Sequence, residues 1–369
     1  MSIANKHKAA CCGCNACVEV CPKQCIVMKK DRKGFLYPKV NEAICVECGI
    51  CEKVCPFQTD KELNIPLKAY AAWNKEKSKH LSSSSGGAAY VFSSYIINQG
   101  GVVYGCASDG INVRHIRVDQ INNLNKLQGS KYVQSNVCDL FSQVKTDLKN
   151  QIPVLFIGTP CQVAGLKAYI KQIPSHLYLV DLICHGVPSR QMLEEHITRI
   201  TKGRNVESIS FRQGNMYILS IIGKNLNYST PNDFYIKGFY KGYTLRESCY
   251  QCPFACPERV SDITIGDFWG LLHPELLPAE SKNGISVLLP CTNKGMQLIE
   301  QTKEFFHYFE RPVEEAIKGN SQLRHPVRKT KRSRIFHALY PIFSFDISVA
   351  ASMADQGIKS LFKKVFNSK

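Results

Sequence analysis

Apolar residues in this chain fall into short runs separated by polar punctuation, and the runs differ in kind along the sequence. Val154-Leu155-Phe156-Ile157 and the stretch 177–183 are apolar almost throughout, as strands buried on both faces are, and the segment 162–173 between them has helical periodicity. A strand, a helix and a strand in that order imply a right-handed crossover and a parallel sheet. Upstream, the small-residue stretch 82–87 precedes an apolar segment predicted to be helical to about residue 98, and 102–106 reads as another buried strand. Downstream, strands are expected at 208–211, 217–222, 263–265 and 285–289, with a helix at 295–306. This larger part is therefore α/β or α+β.

The first sixty residues follow a different rule. Cys11, Cys14, Cys17 and Cys21-Pro22 have the spacing C-x2-C-x2-C-x3-C-P, and Cys45, Cys48, Cys51 and Cys55-Pro56 repeat it. That spacing is the bacterial two-cluster ferredoxin signature, in which three thiolates of one loop cap one cube and the cysteine before proline serves the other. Cys11, Cys14, Cys17 and Cys55 are thus expected to hold one 4Fe-4S cluster, and Cys45, Cys48, Cys51 and Cys21 a second. Structural zinc also uses C-x2-C pairs, but two full repeats each closed by proline speak against it. Cys12 and Cys25 stand outside the pattern and read as spare thiols. Residues 60–68, charged and proline-bearing, look like a linker.

Length and charge refine this picture. At 369 residues the chain has room for two or three domains. No apolar stretch near the N-terminus resembles a signal peptide, so the eighteen cysteines are expected to stay reduced in a cytoplasmic protein. The best candidate for a membrane span, 88–107, is broken by Asn98, Gln99 and two glycines. A formal charge of +17 favours anionic partners, although part of it can offset the negative charge of buried clusters.

Of the eight cysteines beyond residue 60, five stand where strands, a helix entrance or C-x2-C spacing give them meaning. Cys161 follows one buried strand at a helix entrance and Cys184 follows the next, so both belong at the carboxyl edge of a parallel sheet, where open α/β sheets bind ligands. Cys249 and Cys252 form a C-x2-C pair, with Cys256-Pro257 beyond it. Spacing leaves two readings open. Four of these thiols can hold a third 4Fe-4S cluster, with Cys256 as a rival ligand; or Cys249, Cys252 and Cys256 form a zinc knuckle while Cys161 and Cys184 are core thiols.

An ordered series of motifs then becomes recognisable: Ser83-Ser84-Ser85-Gly86-Gly87, Gly129-Ser130-Lys131-Tyr132-Val133-Gln134-Ser135, Gly158-Thr159-Pro160-Cys161-Gln162, Cys184-His185-Gly186-Val187-Pro188-Ser189, then Arg246, Cys249, Cys252 and the run Asp262-Ile263-Thr264-Ile265-Gly266-Asp267-Phe268-Trp269. The series resembles the coenzyme F420 hydrogenase/dehydrogenase beta-subunit family over roughly residues 68–330. That resemblance implies a noncovalent FAD, hydride chemistry, and a 4Fe-4S cluster on Cys161, Cys184, Cys249 and Cys252; Cys256 departs from the family pattern. It also favours the loop of Ser83, Ser84, Ser85, Gly86 and Gly87, before a helix, as a seat for the FAD phosphates. Lys131 would add positive charge beside the flavin. His185 is the candidate for moving a proton, and Asp267, ahead of Phe268 and Trp269, for holding a polar edge of flavin or substrate. The expected organisation is a ferredoxin-like dicluster domain at 1–60, family domains at 68–150 and 151–330, and a basic tail at 331–369.

In that tail Ile358, Leu361, Phe362, Val365 and Phe366 recur at helical spacing among Lys359, Lys363 and Lys364, a pattern suited to peripheral membrane contact as well as to docking on the protein itself. The functional expectation is an iron-sulfur flavoprotein oxidoreductase that takes a small-molecule hydride donor or acceptor and a redox partner protein or ferredoxin, with no nucleic acid. A relay subunit without a substrate of its own is the first alternative, and a zinc-dependent nucleic-acid binder the second.

Overall fold

The computed structural model describes residues 3, 6–59, 62–214 and 216–354. Between the two cysteine repeats, β1 (Ile26–Lys30) and β2 (Leu36–Val40) form an antiparallel hairpin. The main sheet combines β3 (Ala69–Asn74), β4 (Val102–Asp109), β5 (Asn112–Val118), β6 (Val154–Gly158), β7 (Leu177–Leu182), β11 (Ile263–Asp267), β12 (Ser286–Pro290) and β13 (Phe306–Arg311). Their order is β13-β3-β12-β11-β7-β6-β4-β5. A separate antiparallel sheet holds β8 (Ser208–Gln213), β9 (Met216–Gly223) and β10 (Leu226–Thr230).

The four central strands β4, β6, β7 and β11 run parallel, and antiparallel strands flank them. Parallel strands are covered on both faces, which is why β6 reads as an uninterrupted apolar run. Helices Leu140–Lys149 and Pro160–Ile170 cover one face around Phe141, Phe156 and Leu166, while Ala88–Asn98 and Asn293–Thr302 cover the other around Phe92, Leu155 and Leu298. The parallel crossover expected at 154–183 is present, but its helix starts and ends earlier than its periodicity suggested. Thr159 and Gln162 close a capping box, Pro160 stands at the start, and Lys171 ends the helix with φ of 67°. The helix expected at 295–306 spans Asn293–Thr302 instead, because Phe306 opens β13 on the edge of the sheet.

The cysteine-rich N-terminus does not stand apart. Cys14, Ala16 and Val54 are buried in the same core as Phe141 and Phe156, and Phe35 at the hairpin inserts among Met192, Leu193 and Ile197. Two cubes held in about fifty residues leave little apolar surface for a separate core, so docking supplies it. Gly34, at φ of 79°, lies so close to Gln191 that a β-carbon would overlap its Cβ, and Ser189 Oγ donates to Lys33 O at 2.6 Å. The stretch expected to be a free linker is also engaged: Asn64 exchanges both backbone hydrogen bonds with Arg259 at 2.8 Å, and Leu67 N donates to Pro290 O. A boundary at residue 150 falls between strands of one sheet, since β3, β4 and β5 share it with β6 and β7.

Beneath the small sheet, helices Arg190–Thr201, Phe234–Tyr240, Lys331–Leu339 and Phe345–Met353 enclose a second aromatic core. Buried His196 joins three of these segments, with Nε2 2.7 Å from Asp233 Oδ2 and Nδ1 2.8 Å from Asp346 Oδ1. Burial opposes its positive charge, but the two carboxylates outweigh burial and push its pKa up to about 9. Residues 331–353 are thus largely folded onto the protein rather than a loose tail. The apolar stripe at 358–366 lies outside the described residues. Among those residues no helix is long and apolar enough to cross a membrane.

Candidate functional site

The parallel strands β6 and β7 end side by side, with Gly158 paired to Asp181, and each strand leads into a cysteine. Cys161 lies in the first turn of helix Pro160–Ile170, and Cys184 lies two residues past β7. The short turn Glu247–Gln251 and the loop after it bring Cys249 and Cys252 to the same place. Arg259 fastens that loop to the sheet. Its Nη1 donates to Phe254 O and Cys256 O, its Nε to Thr264 Oγ1 at 2.9 Å, and its Nη2 to Asp181 Oδ1 at 3.0 Å, with only the Cys256 contact less than fully buried.

All four thiols line one cavity of about 700 Å³. Burial pushes the Cys184 thiol up to about 12, with Cys161 and Cys252 adding to the rise. Cys249 is likewise raised by burial and then by Cys184 and Cys252. Thiols that oppose one another's ionisation become compatible ligands once a cationic iron centre takes their negative charge.

In the N-terminal region burial pushes Cys17 up to about 12, followed by Cys11 and Cys55 and by Cys51. Cys51 is raised by burial and Glu52, with Cys21 and Cys48 adding to it. Cys17 thus has Cys11, Cys55 and Cys51 as charged neighbours, and Cys51 has Cys21 and Cys48. Among the described residues no three His, Cys, Asp or Glu groups close into a single-ion cage. A cube has its four thiolates on four different irons, so its ligands stand farther apart than those of one ion.

Arg246 gives a separate test of fit. It is buried between the two regions, with Nε donating to Cys11 O at 2.7 Å, Nη2 to Leu36 O at 2.7 Å and to Cys11 Sγ at 3.6 Å, and Nη1 to Gln134 Oε1 at 3.1 Å. Among the described residues no carboxylate pairs with it. A guanidinium keeps its charge, and a buried charge needs an opposite one. Burial opposes that charge, and Cys11, Tyr37, Cys12 and Cys249 favour it. Anionic clusters on the cysteines around it would balance Arg246.

Three cysteines are placed differently from their sequence reading. Cys12 lines the cavity, and its hydrogen bond is the largest influence raising the Cys161 thiol, so Cys12 rather than Cys256 stands beside the dispersed set. Cys256 Sγ faces Pro253 O and Glu258 O instead. Cys25 lies 3.4 Å from Cys21 Sγ. The x2 rule discards the second thiol of the Cys11-Cys12 pair, and only the docking of the N-terminus against Cys161 reveals its neighbour.

The remaining wall carries the other candidates. Ser83, Ser84, Ser85 and Gly87 line the cavity at the start of helix Ala88–Asn98, where Ser84 Oγ accepts from Ser130 N at 2.7 Å. Gly86 has a packing reason to be glycine, since a β-carbon there would lie 2.1 Å from Ala72 O, and Gly87 has a backbone reason in its φ of 83°. Lys131 lines the cavity while donating to Leu127 O at 2.9 Å and Gln128 O at 2.7 Å; burial pulls its pKa down to about 8. His185 lies between Phe239 at 5.1 Å and Tyr240 at 6.4 Å, with its buried Nε2 free of partners among the described residues. Asp267 Oδ2 accepts from Arg212 Nη1 at 2.6 Å, a partner that sequence reasoning missed because Arg212 comes from the other sheet.

Fold and site define an iron-sulfur electron-transfer protein in which a dicluster region docks beside a cofactor-sized cavity of a mixed α/β sheet. Residues 153–314 match the family described as the C-terminal part of the coenzyme F420 hydrogenase/dehydrogenase beta subunit, and residues 10–59 match the 4Fe-4S dicluster domain. The chain thus carries the C-terminal domain of that beta subunit and, at its N-terminus, a 4Fe-4S dicluster domain. A solved structure, the xenon-derivatized F420-reducing NiFe hydrogenase complex from Methanosarcina barkeri, is similar over 72% of this chain and 94% of that chain, at 15% identity and a TM-score of 0.48. No curated protein matches.

Proposed function

We propose that the chain is an FAD-dependent oxidoreductase in which the cavity holds flavin and an organic substrate, and a third 4Fe-4S cluster on Cys161, Cys184, Cys249 and Cys252 links that cavity to the dicluster region. The observation that carries this reading is that one cavity is lined at once by those four thiols, by the serine loop at a helix start, and by Cys12 of the dicluster region. Its volume of about 700 Å³ lies within the range of cofactor and ligand sites.

FAD, when bound, exchanges a hydride with an organic molecule and electrons one at a time with iron-sulfur centres. The first turn of helix Ala88–Asn98 presents backbone N–H groups and a positive helix end to a pyrophosphate. Lys131, half-buried and held by carbonyls, adds positive charge to the wall at a fixed place. His185 presents an unpartnered Nε2 that can hold or pass a proton, and Phe239 and Tyr240 shield it from water. A redox partner protein or ferredoxin is the expected source or sink of electrons at the dicluster region.

The test is to supply FAD to anaerobically reconstituted protein, remove unbound flavin, denature the protein and identify what is released by chromatography. About one FAD per chain is expected. If the protein carries and gains no flavin, the oxidoreductase reading fails and a relay subunit without its own substrate replaces it.

A further inference from the structure

Arg212 lines the cavity with a charge that is only half committed. It lies on β8 of the small sheet, where a register irregularity between Ser210 and Arg212 breaks the alternation of the strand. Such irregularities redirect a side chain out of its regular place. Here Arg212 reaches across to the main sheet: Nη1 meets Asp267 at the end of β11, and the guanidinium lies 5.1 Å from the centre of the Tyr217 ring. The side chain is only 3% exposed. Its Nε and Nη2 are buried with no hydrogen-bond partner among the described residues.

Those two nitrogens form the side-on edge of a guanidinium, a pair of parallel donors whose spacing matches two oxygens of a carboxylate or phosphate. An unsatisfied buried donor is costly, more so when charged, and this edge has two. Asp267 fixes the opposite corner and so sets the direction in which the free edge points. Tyr217 packs 5.3 Å from Tyr240, and Tyr240 lies parallel to His185, so aromatic rings border the same space. That border suits an organic acid with a flat body.

We propose that Arg212 is the oxyanion-recognition residue of the cavity, its Nε and Nη2 taking two oxygens of a carboxylate or phosphate on the organic molecule bound there, with Asp267 as its positioning residue. The proposal rests on the functional reading above only in placing an organic molecule in the cavity. Two sources supply the same oxyanion chemistry, the substrate and the FAD phosphates, and they are separable by experiment.

Anaerobically reconstituted protein, with and without FAD, is titrated calorimetrically with benzoate and inorganic phosphate, and the flavin-free form also with FAD. Wild type, Arg212→Gln and Arg212→Lys are compared, with iron content and thermal midpoint confirming that each variant folds. Loss of one desolvated charged partner should weaken the responsible ligand by about 30-fold or more in Arg212→Gln. Arg212→Lys should recover only a small part, because an ammonium lacks the fork. Weaker benzoate or phosphate binding with unchanged FAD affinity assigns the oxyanion to the substrate; weaker FAD binding assigns it to the flavin phosphates. Should the wild type bind no flavin yet bind a probe through Arg212, the oxyanion site stands while the flavin reading fails. Equal affinities in wild type and both folded variants, or no binding of any of the three ligands to the wild type, would overturn the proposal. If Arg212→Gln does not fold, Arg212→Lys decides the matter alone.

Discussion

Two regions of this molecule gather cysteines by opposite means. In residues 10–59 the chain does it locally, with three thiols of a repeat within seven positions and the fourth carried across after a Cys-Pro step. At the sheet edge nothing local suffices: Cys161 and Cys184 meet because β6 and β7 are parallel neighbours, and Cys249 and Cys252 join them because Arg259 pins their loop to Asp181. The first arrangement depends on spacing and the second on the fold. A disturbance of the sheet should therefore separate them, even though both regions share a hydrophobic core.

The largest separation is expected from Arg259→Ala. Removing one partner of a fully buried ion pair costs about 3–5 kcal/mol and leaves Asp181 uncompensated. The thermal midpoint should fall, and reconstituted protein should lose the iron of the sheet-edge set while the dicluster region keeps its own. Equal loss from both regions would show that docking, not local spacing, holds the dicluster thiols. The combination of Arg259→Met with Asp181→Asn, which removes both charges, should recover part of the midpoint.

A narrower cut is Cys184→Ser, which leaves the sheet intact. About four irons per chain should disappear and no more. An unchanged iron count would show that Cys184 is not a ligand and would leave Cys12 as the thiol to test in its place.

The smallest effect comes from a group remote from both cysteine sets. His196 has a folded pKa of about 9, above its ordinary 6.5. Its contribution is fully present below the unfolded value and is lost as pH rises through the folded one, amounting to about 3 kcal/mol at most. The thermal midpoint should thus decline between about pH 6.5 and 9 in the wild type and less so in His196→Gln, with iron content the same in both. A pH-dependent loss of iron that His196→Gln abolishes would tie the helical layer to the clusters and blur the comparison.

The legibility of the sequence followed the same division. The dicluster domain could be read because its chemistry is written in consecutive spacing, and the crossover at β6 and β7 because doubly buried strands have no polar alternation. Strands β3, β5 and β13 were not expected. Ala69–Asn74 lacks β-branched residues, and in β5 the adjacent Arg114-His115 and then Arg117 break the strict alternation that marks a half-buried strand. The meeting of Arg212 with Asp267 was invisible for a different reason. It joins residues of two separate sheets, and a local irregularity in β8 sets it, so no periodicity records it. Cys12 was hidden in another way, since a thiol adjacent to a ligand reads as surplus until the surface it faces is known.

Iron and acid-labile sulfide per chain, measured on anaerobically reconstituted wild-type protein, test the central claim most directly. Two local sets and one fold-assembled set predict about twelve of each. About eight of each would contradict the account, leaving the dicluster region intact and the sheet-edge cysteines without a cluster.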